Sequence, residues 1–83
     1  KKRDAMQKQR FTPAKKKFLK KVGGNIKKYR KEKNLSQQEL GYLIDTDKPH
    51  ISRAESGAHN FSILTAMRFA EGLEIDIRKL FEF

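Results

Sequence analysis

The stretch from Leu35 to Gly57 reads LSQQELGYLIDTDKPHISRAESG. Ser36 and Glu39 stand three apart, the capping-box spacing in which the Ser hydroxyl and the Glu carboxylate satisfy reciprocal backbone donors. That predicts a helix running to about Ile44, burying Leu40 and Ile44 with Leu43 beside them. Asp45-Thr46-Asp47 is a turn of residues whose side chains bond nearby backbone, and Asp47 can cap a further helix over 48–56. Pro49 falls in the first turn of that helix, where a missing N–H costs little. Gly57 fits a left-handed cap at its end.

Working outward, Thr12-Pro13 is a helix-start signal, and Phe18, Leu19, Val22, Ile26 and Tyr29 follow at spacings of three and four. The Gly23-Gly24 pair interrupts this stripe, each glycine costing about 1 kcal/mol relative to Ala. The expectation is a kink or break there, with the domain's first helix over 24–33 and Asn34 closing it. Downstream, Ser62 caps a fourth helix with Ile63, Ala66, Met67, Phe69, Ala70 and Leu73 as its buried stripe. Asp76 caps a fifth, carrying Ile77, Leu80 and Phe81. No stretch alternates with period two for long enough to propose a sheet. Short links between five helices make an all-α bundle, with residues 1–21 as a basic arm, helical from about 13, and 22–83 as the domain.

Composition bounds what such a bundle can be. Eighty-three residues support one compact domain and a tail, which excludes a multidomain enzyme. Apolar residues make up 36%, or about 42% with glycine, slightly under the roughly 45–50% of globular domains. There is no cysteine, hence no disulfide framework and no thiolate metal site. The two histidines add no metal signature, and no cofactor is expected. The longest apolar run apart from glycine, Tyr42-Leu43-Ile44, is neither a secretory nor a membrane segment, so a cytoplasmic protein is expected. The chain opens at Lys1 rather than Met, which leaves room for a short leader.

The net charge of +10 is unevenly placed. Up to Asn34 there are fifteen Lys and Arg against Asp4 and Glu32, a net of +13; from Leu35 on, Lys48, Arg53, Arg68, Arg78 and Lys79 face eight carboxylates, a net of −3. A basic flank on a near-neutral domain suggests an anionic partner such as nucleic acid or a lipid surface, without specifying a sequence.

The two helices of the opening stretch, about nine residues each and joined by about three, have helix-turn-helix spacing. At 100° per residue, Lys48, Ser52, Pro49 and Arg53 fall within an arc of about 140°, while Ile51 and Ala54 point away. Such a face suits a DNA major groove: Lys or Arg donates to guanine O6/N7, Ser pairs with several bases, and Pro meets a thymine methyl. It also suits any solvated helix, and geometry alone leaves both readings open.

The segments Gly23-Gly-Asn-Ile-Lys-Lys-Tyr-Arg30, Leu35-Ser-Gln-Gln-Glu-Leu40, Ile51-Ser-Arg-Ala-Glu-Ser-Gly57 and Leu73 through Phe81 together resemble the phage-repressor and Cro-type helix-turn-helix regulators, the xenobiotic-response-element type. The resemblance covers about residues 22–83. It implies a five-helix, lambda-repressor-like DNA-binding domain and a sequence-specific transcriptional regulator of double-stranded DNA, a homodimer on its site. It further implies base or near-base contacts from Asp47, Lys48, Pro49, Ser52 and Arg53, and a phosphate contact from Gln37, which braces the recognition helix. His50 sits at the phosphate edge; His59 and Asn60 lie in a loop that approaches phosphate in the family. Glu55 is implied to pair with Arg30 as a structural ion pair. Four residues depart from the pattern. Gly41 stands for a favoured Ala, Asp45 for a frequent Gly, Ala54 for a larger apolar residue and Phe61 for a common Pro. Asp47 can accept from a cytosine amine or simply cap its helix.

The lysines at 15–17 and 20–21 read either as a solvated helix face or as phosphate-tracking contacts. Tyr29 and Phe18 read as core or docking residues. The apolar ending Leu80-Phe81-Glu82-Phe83 suggests self-association. Two competing functions remain: an antitoxin-like or adaptor protein that binds a toxin-like partner and autoregulates its operon, and a nonspecific nucleic-acid binder driven by the arm. Catalysis is not expected, since no nucleophile–base arrangement or phosphate-cradling glycine loop occurs.

Overall fold

The computed structural model describes residues 12–58, 60 and 62–83; the arm residues 1–11, His59 and Phe61 lie outside it. Among the described residues there are four α-helices, a closing 3-10 helix and no strand: α1 (Pro13–Glu32), α2 (Gln37–Leu43), α3 (Lys48–Ser56), α4 (Ile63–Leu73) and the 3-10 helix Ile77–Phe81. Every start carries its expected cap. Thr12 accepts from Lys15 N, Ser36 and Glu39 complete the capping box, Asp47 accepts from His50 N, Ser62 from Thr65 N and Asp76 from Arg78 N. A cap of this kind is worth about 1 kcal/mol.

The expected break at Gly23-Gly24 does not occur: α1 is one helix of 20 residues. Two glycines cost about 2 kcal/mol of propensity. Val22 and Ile26, which flank them, are buried, and each such side chain gains about 1.5–3 kcal/mol, so packing outweighs propensity. Gly23 is itself part of that packing. A β-carbon there would sit 2.3 Å from the Ala54 carbonyl oxygen, so α1 crosses α3 at a distance that only glycine permits. Gly24 faces open space.

Three further expectations need correcting. The fifth α-helix is a five-residue 3-10 helix, because so short a run cannot repay α nucleation and the Asn25 amide draws the Leu80 and Glu82 carbonyls onto α1 at 3.0 and 3.1 Å. Leu43 is 58% exposed, since α2 ends there and Ile44, the cap residue, turns into the core. Ile63 and Met67 are exposed: the buried face of α4 is narrower, carried by Ala66, Phe69, Ala70 and Leu73.

The core gathers Val22, Ile26, Leu40, Ile44, Ile51, Ala54, Phe69, Leu73 and Leu80 from every element. Asn34 and Asp45 adopt left-handed φ of 60°, a conformation Asn and Asp tolerate, so Asp45 makes the turn a glycine would. Outside the core, Phe18 of α1 meets Phe81 at 6.3 Å and Phe83 edge-on at 5.2 Å between ring centroids. The chain's last residues thereby brace the first half of α1.

Candidate nucleic-acid interface

The α2–α3 unit is locked by its turn. Thr46 N donates to the Gly41 carbonyl at 2.8 Å, and the Thr46 hydroxyl lies 2.7 Å from His50 Nδ1. The Arg68 guanidinium, from α4, donates to the Ile44 carbonyl at the end of α2. α3 is therefore held from its first turn, and it buries Ile51, Ala54 and Glu55. Lys48, Pro49, Ser52, Arg53 and Ser56 are exposed within one arc of about 140°, with Lys48 at its edge beside Glu55.

A buried polar network fixes the other end of α3. Arg30 Nε donates to Glu55 Oε2 at 2.5 Å and the Arg30 NH2 group to Oε1 at 3.1 Å, a bidentate pair with both side chains nearly inaccessible. The Arg30 NH1 group reaches the Leu35 carbonyl at 2.7 Å, and Gln37 Nε2 donates to Glu55 Oε1 at 3.1 Å. The Glu55 carboxylate thus joins α1 and α2 to α3, and Arg30 ties in the chain leading into α2. Removing a partner from such a pair leaves a buried charge uncompensated, so the network makes the orientation of α3 a rigid property of the fold.

The residues singled out from sequence divide in space. Lys48, Pro49, Ser52 and Arg53 share the exposed face of α3, and Asp47 stands at its head with Oδ1 occupied by the His50 amide at 3.0 Å. His50 is half-buried, its ring edge-on to Phe69 at 6.2 Å. Gln37 and Asn60 lie toward the C-terminal end of α3, Gln37 through Glu55 and Asn60 in the loop that follows; His59 is outside the described residues. One residue was missed: Arg68, counted only as a cation, anchors α2. Of the lysines at 15–17 and 20–21, Lys16 and Lys20 border Ser56, Gly57 and Ala58 across a shallow cleft. Positions 16, 20, 23 and 30 fall on one side of a helix, and that side carries Arg30.

A family model described as "Helix-turn-helix" matches residues 26–80. Among solved structures, the restriction-modification controller protein C.AhdI from Aeromonas hydrophila is 32% identical over 80% of this chain and 96% of its own, with a TM-score of 0.76. The controller protein C.Esp1396I, solved as a tetramer in complex with its natural 35 base-pair operator, is 30% identical over 78% of this chain and 96% of its own, with a TM-score of 0.68. A transcriptional regulator from Vibrio cholerae is 25% identical over 81% of this chain but 38% of its own, with a TM-score of 0.75. No curated protein sequence matches the chain significantly.

Proposed function

The chain belongs to the helix-turn-helix family of Cro and phage-repressor type, and from that premise we propose that it binds double-stranded DNA sequence-specifically as a small transcriptional regulator, with α3 in the major groove. The observation that carries this reading is the exposed face of Lys48, Pro49, Ser52 and Arg53 on a helix whose buried side is fixed by Ile51, Ala54 and the Arg30–Glu55 pair. A nine-residue helix is about 13 Å long at 1.5 Å per residue, close to the roughly 12 Å width of the major groove. Lys48 and Arg53 donate to guanine, Ser52 and Pro49 read adjacent edges, and the Asp47 oxygen left over from capping accepts from a cytosine amine. Gln37, His50, His59 and Asn60 set register on the phosphates, and residues 1–21 are the arm that adds affinity to the domain of 22–83.

The chain acts as a homodimer on DNA. Ile63, Leu64 and Met67 form an exposed apolar patch on α4, and a related controller protein binds its operator as a tetramer. A dimer places two recognition helices one DNA turn, about 34–36 Å, apart on an inverted repeat. Binding-site selection from a random duplex library at near-physiological salt tests the reading. An enriched inverted repeat is the expected result, with Arg53→Ala relaxing preference at one position by about 1–3 kcal/mol. The absence of any enriched motif would overturn it.

A further inference from the structure

We propose that Lys16 and Lys20 form a second phosphate-binding element, which extends the DNA contact beyond the helix-turn-helix onto the backbone flanking the C-terminal end of α3; this rests on the function proposed above. Both lysines lie on the first half of α1, which begins at Pro13, ahead of the residues 26–80 that the family model matches.

This half of α1 has a fixed position. Phe18 is held between Phe81 and Phe83, and Asn25 binds the carbonyls of Leu80 and Glu82. On its other side α1 lies directly on the end of α3. Gly57 has φ 79°, and a β-carbon on it would come within 2.7 Å of Lys20 Cα. Lys16 and Lys20, one helical turn apart and both exposed, border a cleft with Ser56, Gly57 and Ala58. Ser56 belongs to the same exposed face as Lys48, Pro49, Ser52 and Arg53, so the lysine pair continues the α3 face past its last turn.

A recognition helix lies in the major groove with its N-terminal residues at the base edges, so in that pose its C-terminal end is directed toward the flanking backbone. The function proposed above assigns phosphate contacts to Asn60, in the loop after α3, and to Gln37, which is bonded to Glu55 near the end of α3. Lys16 and Lys20 stand at the same end of α3, with two ammonium groups on stems long enough to reach that backbone. Lys17 and Lys28 lie some 100–120° round the helix from Lys16 at 100° per residue, turned away from α3, and so serve as a control pair.

The test compares Lys16→Gln/Lys20→Gln with Lys17→Gln/Lys28→Gln in the full chain. Both pairs are exposed, remove the same charge, and should leave the melting curve of the free protein unchanged. Binding to the selected duplex is titrated across a salt series and phosphates are mapped by ethylation interference. The 16/20 pair is expected to flatten the slope of log K against log salt by about 1.8, at about 0.9 per phosphate contact. It should also erase interference at the flanking phosphates, with the selected motif unchanged. The 17/28 pair should leave the interference pattern intact and change the slope far less. Equal slopes and identical interference for the two pairs would overturn the inference while leaving the proposed function standing. A wild-type chain that enriches no motif would overturn both.

Discussion

Glu55 is the residue on which the interface turns, because its carboxylate is shared by Arg30 and Gln37 on two other helices. Glu55→Ala strands the Arg30 guanidinium in a site only 8% exposed, a loss of about 3–5 kcal/mol for a broken buried pair. Gln37→Ala removes one hydrogen bond and leaves the pair, a loss of about 1 kcal/mol; urea denaturation of the two variants checks the ranking. A different carboxylate gives a pH dependence. Asp76 is held down from its ordinary 3.8 to about 2, first by the Arg78 side chain and then by the Arg78 amide. A carboxylate lowered by folding stabilises the native state above its unfolded value and loses that contribution as pH falls through the folded one, here between about 4 and 2. Wild type should therefore lose stability across that window more steeply than Asp76→Asn, although the exposed, screened position keeps the difference small. All five caps were legible because capping is a local bond between neighbours in sequence. The anchoring of Ile44 by Arg68 was not, because a surface arginine has no sequence pattern that names a carbonyl 24 residues away.

At the scale of elements, adjacent glycines in α1 separate propensity from packing. Gly23 carries the crossing with α3, and Ala there would drive a methyl into the carbonyls of Ala54 and Glu55, backbone atoms that cannot step aside. Gly24 has nothing within 4 Å. Gly24→Ala should stabilise the protein by about 0.5–1 kcal/mol through helix propensity and the unfolded chain. Gly23→Ala should destabilise it and shift the α1–α3 contact. Thermal melts of the two variants check this, and similar effects at the two positions would mean that the crossing is looser than described. Sequence treats the pair as a helix breaker because a 1 kcal/mol propensity is visible in one window, whereas the partner that uses Gly23 lies 31 positions on. The same limit explains the exposed Ile63 and Met67: periodicity shows that a helix has an apolar side, while how much of that side is covered depends on elements whose placement it does not encode.

At the scale of the molecule, charge and apolar surface are divided between two tasks. The positive charge lies mainly before Asn34; in the proposed function it sets affinity and salt dependence, while the α3 face, in a segment of net negative charge, chooses the site. Neither explains why Ile63, Leu64 and Met67 are left 68%, 67% and 47% exposed on one side of α4. Three large apolar side chains together form a patch that a second copy can cover, and a two-fold contact between such patches pairs each residue with its symmetry mate or neighbour. Two glutamates placed there, as Ile63→Glu/Met67→Glu, set like charges against each other across the dimer while the buried face of Ala66, Phe69, Ala70 and Leu73 is untouched. Sedimentation velocity should then show a monomer where wild type shows a dimer, with an unchanged far-UV spectrum. On DNA the variant should keep wild-type affinity for an isolated half-site and lose the added affinity of an inverted repeat, since each α3 still reads its own bases but the second binding event no longer gains from the first. A variant that stays dimeric would move the interface off α4, and the braced aromatic ending at Phe81 and Phe83 would be the next surface to substitute.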